Sequence, residues 1–241
     1  MIDAKPQSHA ALDSDSRVRK AMKIGRLLSQ VTDLQGACVL EIGAGAGYIA
    51  SFLASRVGAG GAVSAVDIID QRQVCDGFDF RLVSDTALPF DDDSFDICVS
   101  NHVLEHVGDP KAQAAHLREI QRVLRPAGWL YLAVPNRWAL IEPHFKLPLL
   151  SWLPPSLRDT YVRITGRGQR YDCHPPTHAE LEALLHGAGY RTREVSFEGI
   201  KAVGDIETGP GLKRWLCKHP RFWALPLRVL LPSHLYLARY P

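Results

Sequence analysis

No stretch of this sequence reaches the roughly 18–20 consecutive apolar residues that a membrane-spanning helix needs, so no segment reads as one. The N-terminus lacks an apolar core of the secretory kind, and the chain is expected to stay in the cytoplasm. Cysteine is sparse and odd in number: five residues, Cys38, Cys75, Cys98, Cys173 and Cys217, are scattered along the chain. They read as reduced, buried thiols and not as a disulfide framework. With no CxxC pair and no His/Cys cluster at zinc spacing, no metal is expected. His174 and His178 are four apart, but Pro175 and Pro176 between them break the helical geometry that a ligand pair needs.

Net charge is also small, formally +2, but it conceals an asymmetry. Residues 1–136 hold 13 Lys/Arg against 17 Asp/Glu, which is −4; residues 137–241 hold the remaining 15 against 9, which is +6. A basic half suits an anionic substrate or an anionic membrane surface, and equally an ordinary solvated face. At 241 residues the chain is long enough for a single domain with a substantial core.

What the sequence does contain is a glycine turn. Val39–Ile42 reads as a short buried strand, Gly43, Gly45 and Gly47 as a loop, and Tyr48–Ser55 as a helix with Ile49, Phe52 and Leu53 at helical spacing. Glycines at such a turn allow positive φ and let a ligand lie against bare main chain. A dinucleotide fingerprint would place its third glycine at position 48, where Tyr48 stands instead. Ala62–Val66 reads as a second strand ending in Asp67, twenty residues past Gly47 (67 − 47). An acid at that strand tip reaches the ribose of a nucleoside lying over the first turn. Phe80–Val83 reads as a third strand, followed by Asp85, Thr86 and Ala87; Asp85 serves either an adenine amino group or the cap of the next turn. Ile97–Ser100 is a fourth strand with Asn101–His106 just beyond its carboxyl end, where open α/β sheets bind ligands. Asp109 and Pro110 start a helix that Arg125–Gly128 is expected to end, and Trp129–Val134 is a fifth strand.

The run Glu41-x-Gly43-x-Gly45-x-Gly47 resembles the first motif of the class I S-adenosylmethionine-dependent methyltransferases. Leu88-Pro-Phe90 with Ser94-Phe-Asp96, Leu104-Glu-His-Val107 with Asp109-Pro110, and Glu119-Ile120 through Arg122-Val-Leu124 to Gly128 resemble their type 11 subgroup. The likeness is close over about residues 37–136 and holds elsewhere in outline. It implies an α/β fold, a doubly wound, Rossmann-like, seven-stranded sheet whose last strand is antiparallel, in three α/β/α layers. It implies S-adenosylmethionine as cofactor, held by Glu41, Gly43, Ala44, Gly45, Gly47, Asp67, Ile68, Asp85, Thr86, Ala87, Asn101 and His102.

The rest of the chain is expected to dress this core. Residues 1–36 form an N-terminal helical cap. Asp13–Val31 reads as an amphipathic helix with Val18, Met22 and Gly25–Leu28 on one side and Arg17, Arg19, Lys20, Lys23 and Arg26 on the other. It covers the cofactor or lies on a membrane surface. Residues 137–176 read as a proline-broken insertion that forms a lid or substrate pocket. Thr177 and Glu180 make a capping box for a helix to about His186. Arg191–Phe197 reads as the sixth strand and His234–Arg239 as the seventh, with an amphipathic insertion, 198–232, between them. Its segment 210–232 suits an interfacial membrane contact, a lid or a dimer contact; oligomeric state is not legible.

Methyl transfer from a sulfonium needs its acceptor held in line and kept dry, and a base only where the acceptor must lose a proton. His106 is the candidate base, with a packed structural role as its alternative. His144, Tyr171 and His174 are candidate substrate contacts. The expected activity is methyl transfer to a small molecule, of a lipid-linked or glycan pathway. The insertion loosely resembles that of bacterial methyltransferases of cell-surface glycan and lipid-linked sugar pathways. A quinone-type lipid and a catalytically silent, cofactor-binding membrane adaptor are the alternatives. Nucleic acid is disfavoured, because Asn101-His-Val-Leu stands where an Asn/Asp-Pro-Pro-Tyr/Phe tetrapeptide would follow the fourth strand.

Overall fold

Alternating apolar residues on the central strands sort the helices into two layers. The computed structural model describes residues 13–241, and residues 1–12 of the expected cap lie outside them. Seven strands, β1 (Cys38–Ile42), β2 (Ala62–Asp67), β3 (Asp79–Leu82), β4 (Phe95–Asn101), β5 (Leu124–Pro135), β6 (Arg191–Glu194) and β7 (Ser233–Arg239), form one sheet of order β3-β2-β1-β4-β5-β7-β6. The first five pair in parallel, and β7 runs antiparallel to both its neighbours. This is the expected doubly wound sheet. Strand order reverses between β1 and β4, which opens a crevice at their carboxyl ends.

Among the described residues, eight α-helices flank the sheet or its insertions: α1 (Ser14–Leu28), α2 (Tyr48–Val57), α3 (Pro110–Val123), α4 (Pro155–Ile164), α5 (His178–Gly187), α6 (Ser196–Ile206), α7 (Leu212–Lys218) and α8 (Pro220–Ala224). Val39, Ile97, Val99, Tyr131 and Ala133 point to one face and pack with Ile24, Leu28 and Leu53 of α1 and α2. Leu40, Cys98, Leu130 and Leu132 point to the other and pack with Leu117 and Ile120 of α3 and Leu181 and Leu185 of α5. Each such Leu or Ile contributes about 1.5–3 kcal/mol on burial. A one-residue slip of any central strand would exchange its two faces, so register is strongly fixed.

Four expectations need correction. The apolar side of α1 is Ala21, Ile24, Gly25, Leu27 and Leu28, while Val18 and Met22 are exposed. A Cβ on Gly25 would lie 2.7 Å from the Phe52 ring, so small residues set this close face. Arg125–Gly128 does not end α3: that helix stops at Val123 and the residues open β5. The sixth strand stops at Glu194, and Ser196 already begins α6. The insertion after β5 contains α4, because Pro155 sits in the first turn, where its missing N–H costs nothing. The insertion also has a core of its own, Phe145, Leu147, Leu150, Val162, Tyr171 and Cys173. The capping box of Thr177 and Glu180 forms as expected.

Candidate active site

The glycine turn lies at the carboxyl end of β1. Gly43, Gly45 and Gly47 all have positive φ, at 81°, 52° and 86°. A Cβ on Gly47 would stand 2.1 Å from the Val74 carbonyl oxygen, since the Gln73 and Val74 amides bond to the Ala46 carbonyl. A Cβ on Gly43 would stand 2.5 Å from Val103. Any side chain at either position therefore closes the turn, in addition to straining it. Asp67 braces it: its carboxylate accepts hydrogen bonds from Gly45 N at 2.8 Å, Ile68 N at 2.7 Å and Ile69 N at 3.3 Å. Asp85 accepts one from Ala87 N at 2.8 Å, which caps the turn that carries Thr86.

Glu41 is buried beneath the turn, and its Oε2 has no hydrogen-bond partner among the described residues. Burial pushes its carboxyl well above the usual range; the Ala50 amide opposes this, and the charge of Asp67 adds to it. Bare backbone around the three glycines, a buried acid with an open oxygen and two acids on neighbouring strand tips fit a cationic amino acid joined to a nucleoside. Nothing in the set resembles a phosphate cradle with a lysine.

The structure brings together a second group that the sequence shows only in part. His102 follows β4 in a left-handed conformation, φ 59°, with its amide bonded to the Ala133 carbonyl at 2.8 Å. Glu105 follows in a 3₁₀ turn, Leu104–His106, and its side chain is fully buried. Its Oε1 lies 2.9 Å from His144 Nε2, 3.5 Å from His102 Nδ1 and 3.9 Å from His106 Nε2. Cys173 closes the group, its Sγ 3.9 Å from His106 Nδ1. Burial alone would raise the Glu105 carboxyl, but the His102 and His144 hydrogen bonds and the nearby imidazoles outweigh it and hold the group well below the carboxylate range. Burial lowers His102, with Glu105 opposing. Sequence reasoning named His102, His106 and His144 but gave Glu105 and Cys173 no role. A glutamate flanked by apolar and histidine residues at a strand's carboxyl end was the available signal for Glu105; Cys173 carried none.

Of the other two expected substrate contacts, Tyr171 is buried in the insertion core, tilted against Phe145 at 5.5 Å, with its hydroxyl lacking a hydrogen-bond partner among the described residues. His174 does not join the histidine group through its side chain. Its amide bonds to the Glu105 carbonyl at 2.7 Å, and the residue lines a cavity of about 450 Å³ with Gln113, Arg137, Ser151 and Arg158. Asn101 ends β4 beside His102, half-buried. Helix α1 borders the same region: Lys20 feels the charge of Glu105, and its amine is pushed down to about 8 by burial, with Arg17 and Lys23 adding.

Segment 210–232 is mostly exposed and apolar. Leu212, Trp215, Phe222, Leu225 and Val229 face solvent, Phe222 at 88 % of its full area. No helix among the described residues is long and apolar enough to cross a membrane.

A family model described as a methyltransferase domain matches residues 40–132. A ubiquinone biosynthesis O-methyltransferase from Parvibaculum lavamentivorans is 27 % identical over 75 % of this chain and 69 % of its own length. A ubiquinone/menaquinone biosynthesis C-methyltransferase from Xanthomonas oryzae is 38 % identical over 64 % of this chain and 66 % of its own. The chain thus spans about two thirds of these relatives' length. Among solved structures, a methyltransferase from Mesorhizobium loti, dependent on S-adenosylmethionine, aligns with a TM-score of 0.60 at 15 % identity. It covers 92 % of this chain and 99 % of that one. A second, from Aquifex aeolicus, gives a TM-score of 0.56 at 15 % identity over 96 % and 100 %. At these identities the structural likeness is one of fold.

Proposed function

The chain belongs to the class I S-adenosylmethionine-dependent methyltransferases, and from that premise we propose that it methylates a hydroxyl-bearing, apolar or lipid-linked small molecule, with His106 taking the proton. S-adenosylmethionine, when bound, supplies a methyl group already activated by its sulfonium. The Gly43–Gly47 backbone and Glu41 would hold its amino-acid part, Asp67 and Ile68 its ribose, and Asp85, Thr86 and Ala87 its base. Asn101 and His102 border it from β4.

The observation that carries the acceptor chemistry is the buried carboxylate of Glu105 with three imidazoles around one of its oxygens. An anion in a dry site stabilises the imidazolium that forms when a histidine takes a proton. Among the three side chains His106 has the most exposed ring, at 26 % against 20 % for His102 and 8 % for His144, although its Nε2 is buried, so an acceptor would meet it from the Nδ1 side. The test is transfer of labelled methyl from S-adenosylmethionine into lipid and sugar extracts. His106→Ala should slow turnover by about 10²-fold or more while leaving S-adenosylhomocysteine affinity near wild type. A variant with wild-type rate removes His106 as base.

A quinone-type acceptor is the second reading, supported by the O- and C-methyltransferases of ubiquinone biosynthesis among the relatives. Exposed Trp138, Leu140, Ile141 and Trp152 on the insertion that carries His144 favour an acceptor with an apolar tail. The apolar surface of 210–232, with Lys213, Arg214, Lys218 and Arg221 along it, supports peripheral contact with an anionic bilayer. Cofactor binding without methyl transfer to any extract would instead favour the adaptor.

A further inference from the structure

We propose that His102, Glu105 and His144 form a site for one divalent cation of the zinc type, beside the methyl-acceptor region. Two imidazoles and one carboxylate are the protein ligands of a catalytic zinc, leaving a position open. The ligand atoms of these three residues lie within 4.8 Å of one another.

The spacing is close to what coordination requires. Ligand atoms at about 2.0–2.1 Å from a tetrahedral zinc stand roughly 3.3–3.4 Å apart. Around Glu105 Oε1 the observed separations are 2.9 Å to His144 and 3.5 Å to His102. The first is a hydrogen bond; the second is a long one, and its length is also that of an edge of a coordination polyhedron. A small outward shift of His144 brings both to the ligating distance. Glu105 Oε2 is buried and has no hydrogen-bond partner among the described residues, so half of this carboxylate is uncommitted in the interior. Among the described residues, the ion-pair partners of Glu105 are histidines. A divalent cation would replace the weak-base partners that now balance this buried anion and would engage its unsatisfied oxygen.

The ligands also sit on firm supports. His102 is fixed by its bond to Ala133 in β5, Glu105 by the turn after β4 and by the His174 amide on its carbonyl. His144 lies in a tight excursion where the Phe145 amide bonds Glu142 Oε2 at 2.6 Å and Ile141 bridges Pro148. Another triad of similar composition, His178, Glu194 and His234, makes the contrast: there Arg228 already donates to both Glu194 and His178, so a cation is in place. The spacing rules that find zinc sites in sequence miss the first triad because His144 comes from an insertion some forty residues beyond His102 and Glu105. The open position of the proposed ion would take the oxygen of an acceptor hydroxyl, and that role rests on the methyltransferase reading; the ion's presence does not.

The full chain, stripped with a chelator, should be titrated with zinc by calorimetry and with cobalt(II) by absorption. One ion per chain and visible d–d bands of four- or five-coordinate cobalt are expected. Glu105→Gln and His144→Asn should each weaken binding at least about tenfold, and His178→Ala should leave it unchanged. Should Glu105→Gln not fold, His102→Asn replaces it. Substoichiometric binding, or wild-type affinity in the folded triad variants, overturns the site. S-adenosylhomocysteine titrated into the same samples separates the two ideas: cofactor binding without zinc removes only this site, and zinc binding without cofactor removes only the proposed function.

Discussion

His116 has no counterpart in the proposed chemistry, yet it sets a clear expectation for stability. It lies in α3, buried, and burial pushes its imidazole down to about 4 from 6.5. His234 on β7 behaves alike: burial lowers it to about 4, with His178 adding. The unfolded chain therefore takes up these protons first as pH falls. Their contribution is complete above about pH 6.5 and is lost progressively between 6.5 and 4, on the order of 3 kcal/mol each at most. Urea unfolding at pH 7, 5.5 and 4.5 should show His116→Leu losing less stability than wild type over that range; equal losses would place the effect elsewhere. Single residues were also where sequence reading succeeded unevenly. Asp67 and Asp85 are visible because they follow strands at a nucleoside's spacing. Glu105 is not, because its partner His144 is brought to it by folding alone.

Elements fail to be legible where contacts are made by small residues or started by proline. The first two residues of α6 read as a strand's end and the rest as part of the insertion 198–232, because its buried positions include Gly199, Ala202 and Gly204, which lack an apolar period. A Cβ on Gly199 would lie 2.3 Å from Leu235, and one on Gly204 2.4 Å from Cys217. Those approaches let α6 lie on β7 and hold α7. Helix α4 was hidden by Pro154 and Pro155, read as breakers when the second is a helix start. Connections between elements hinge on few groups, and Asn136 is one. Its buried side chain donates to the Val229 and Leu231 carbonyls at 2.7 and 2.8 Å, and its Oδ1 accepts from Trp138 N at 3.0 Å. The segment before β7 is thereby tied to the start of the insertion after β5. Asn136→Ala should destabilise by about 1–3 kcal/mol through the unpaired carbonyls and speed proteolysis within 225–232. A variant with unchanged cleavage and midpoint would mean the segment is held by Arg228 and packing.

For the whole molecule, the architecture was legible through the resemblance, since the apolar runs of β1, β4 and β5, the glycine turn and the order of strand-tip acids match a family whose sheet is doubly wound. The surface was not, because exposure of apolar residues depends on how α7 and α8 sit. Phe222, Leu225 and Val229 are exposed, while Ala224 and Pro220 are buried, so the segment is docked and still presents an apolar face. Replacing Phe222, Leu225 and Val229 with serine should abolish sedimentation with anionic vesicles without lowering the thermal midpoint. Persistent sedimentation would assign the contact to another face or to none. The charge division, −4 in residues 1–136 and +6 in 137–241, predicts that such binding weakens as salt rises.

The central claim is that the glycine turn and its strand-tip acids hold S-adenosylmethionine. Calorimetric titration of the full chain with S-adenosylhomocysteine, beside Asp67→Ala, tests it most directly. The account predicts one-to-one binding by the wild type, weakened by about 1–3 kcal/mol in the variant, which loses the acceptor for Gly45, Ile68 and Ile69 as well as its expected ribose contact. A folded wild type that does not bind, or a variant that binds as well as wild type, would contradict it.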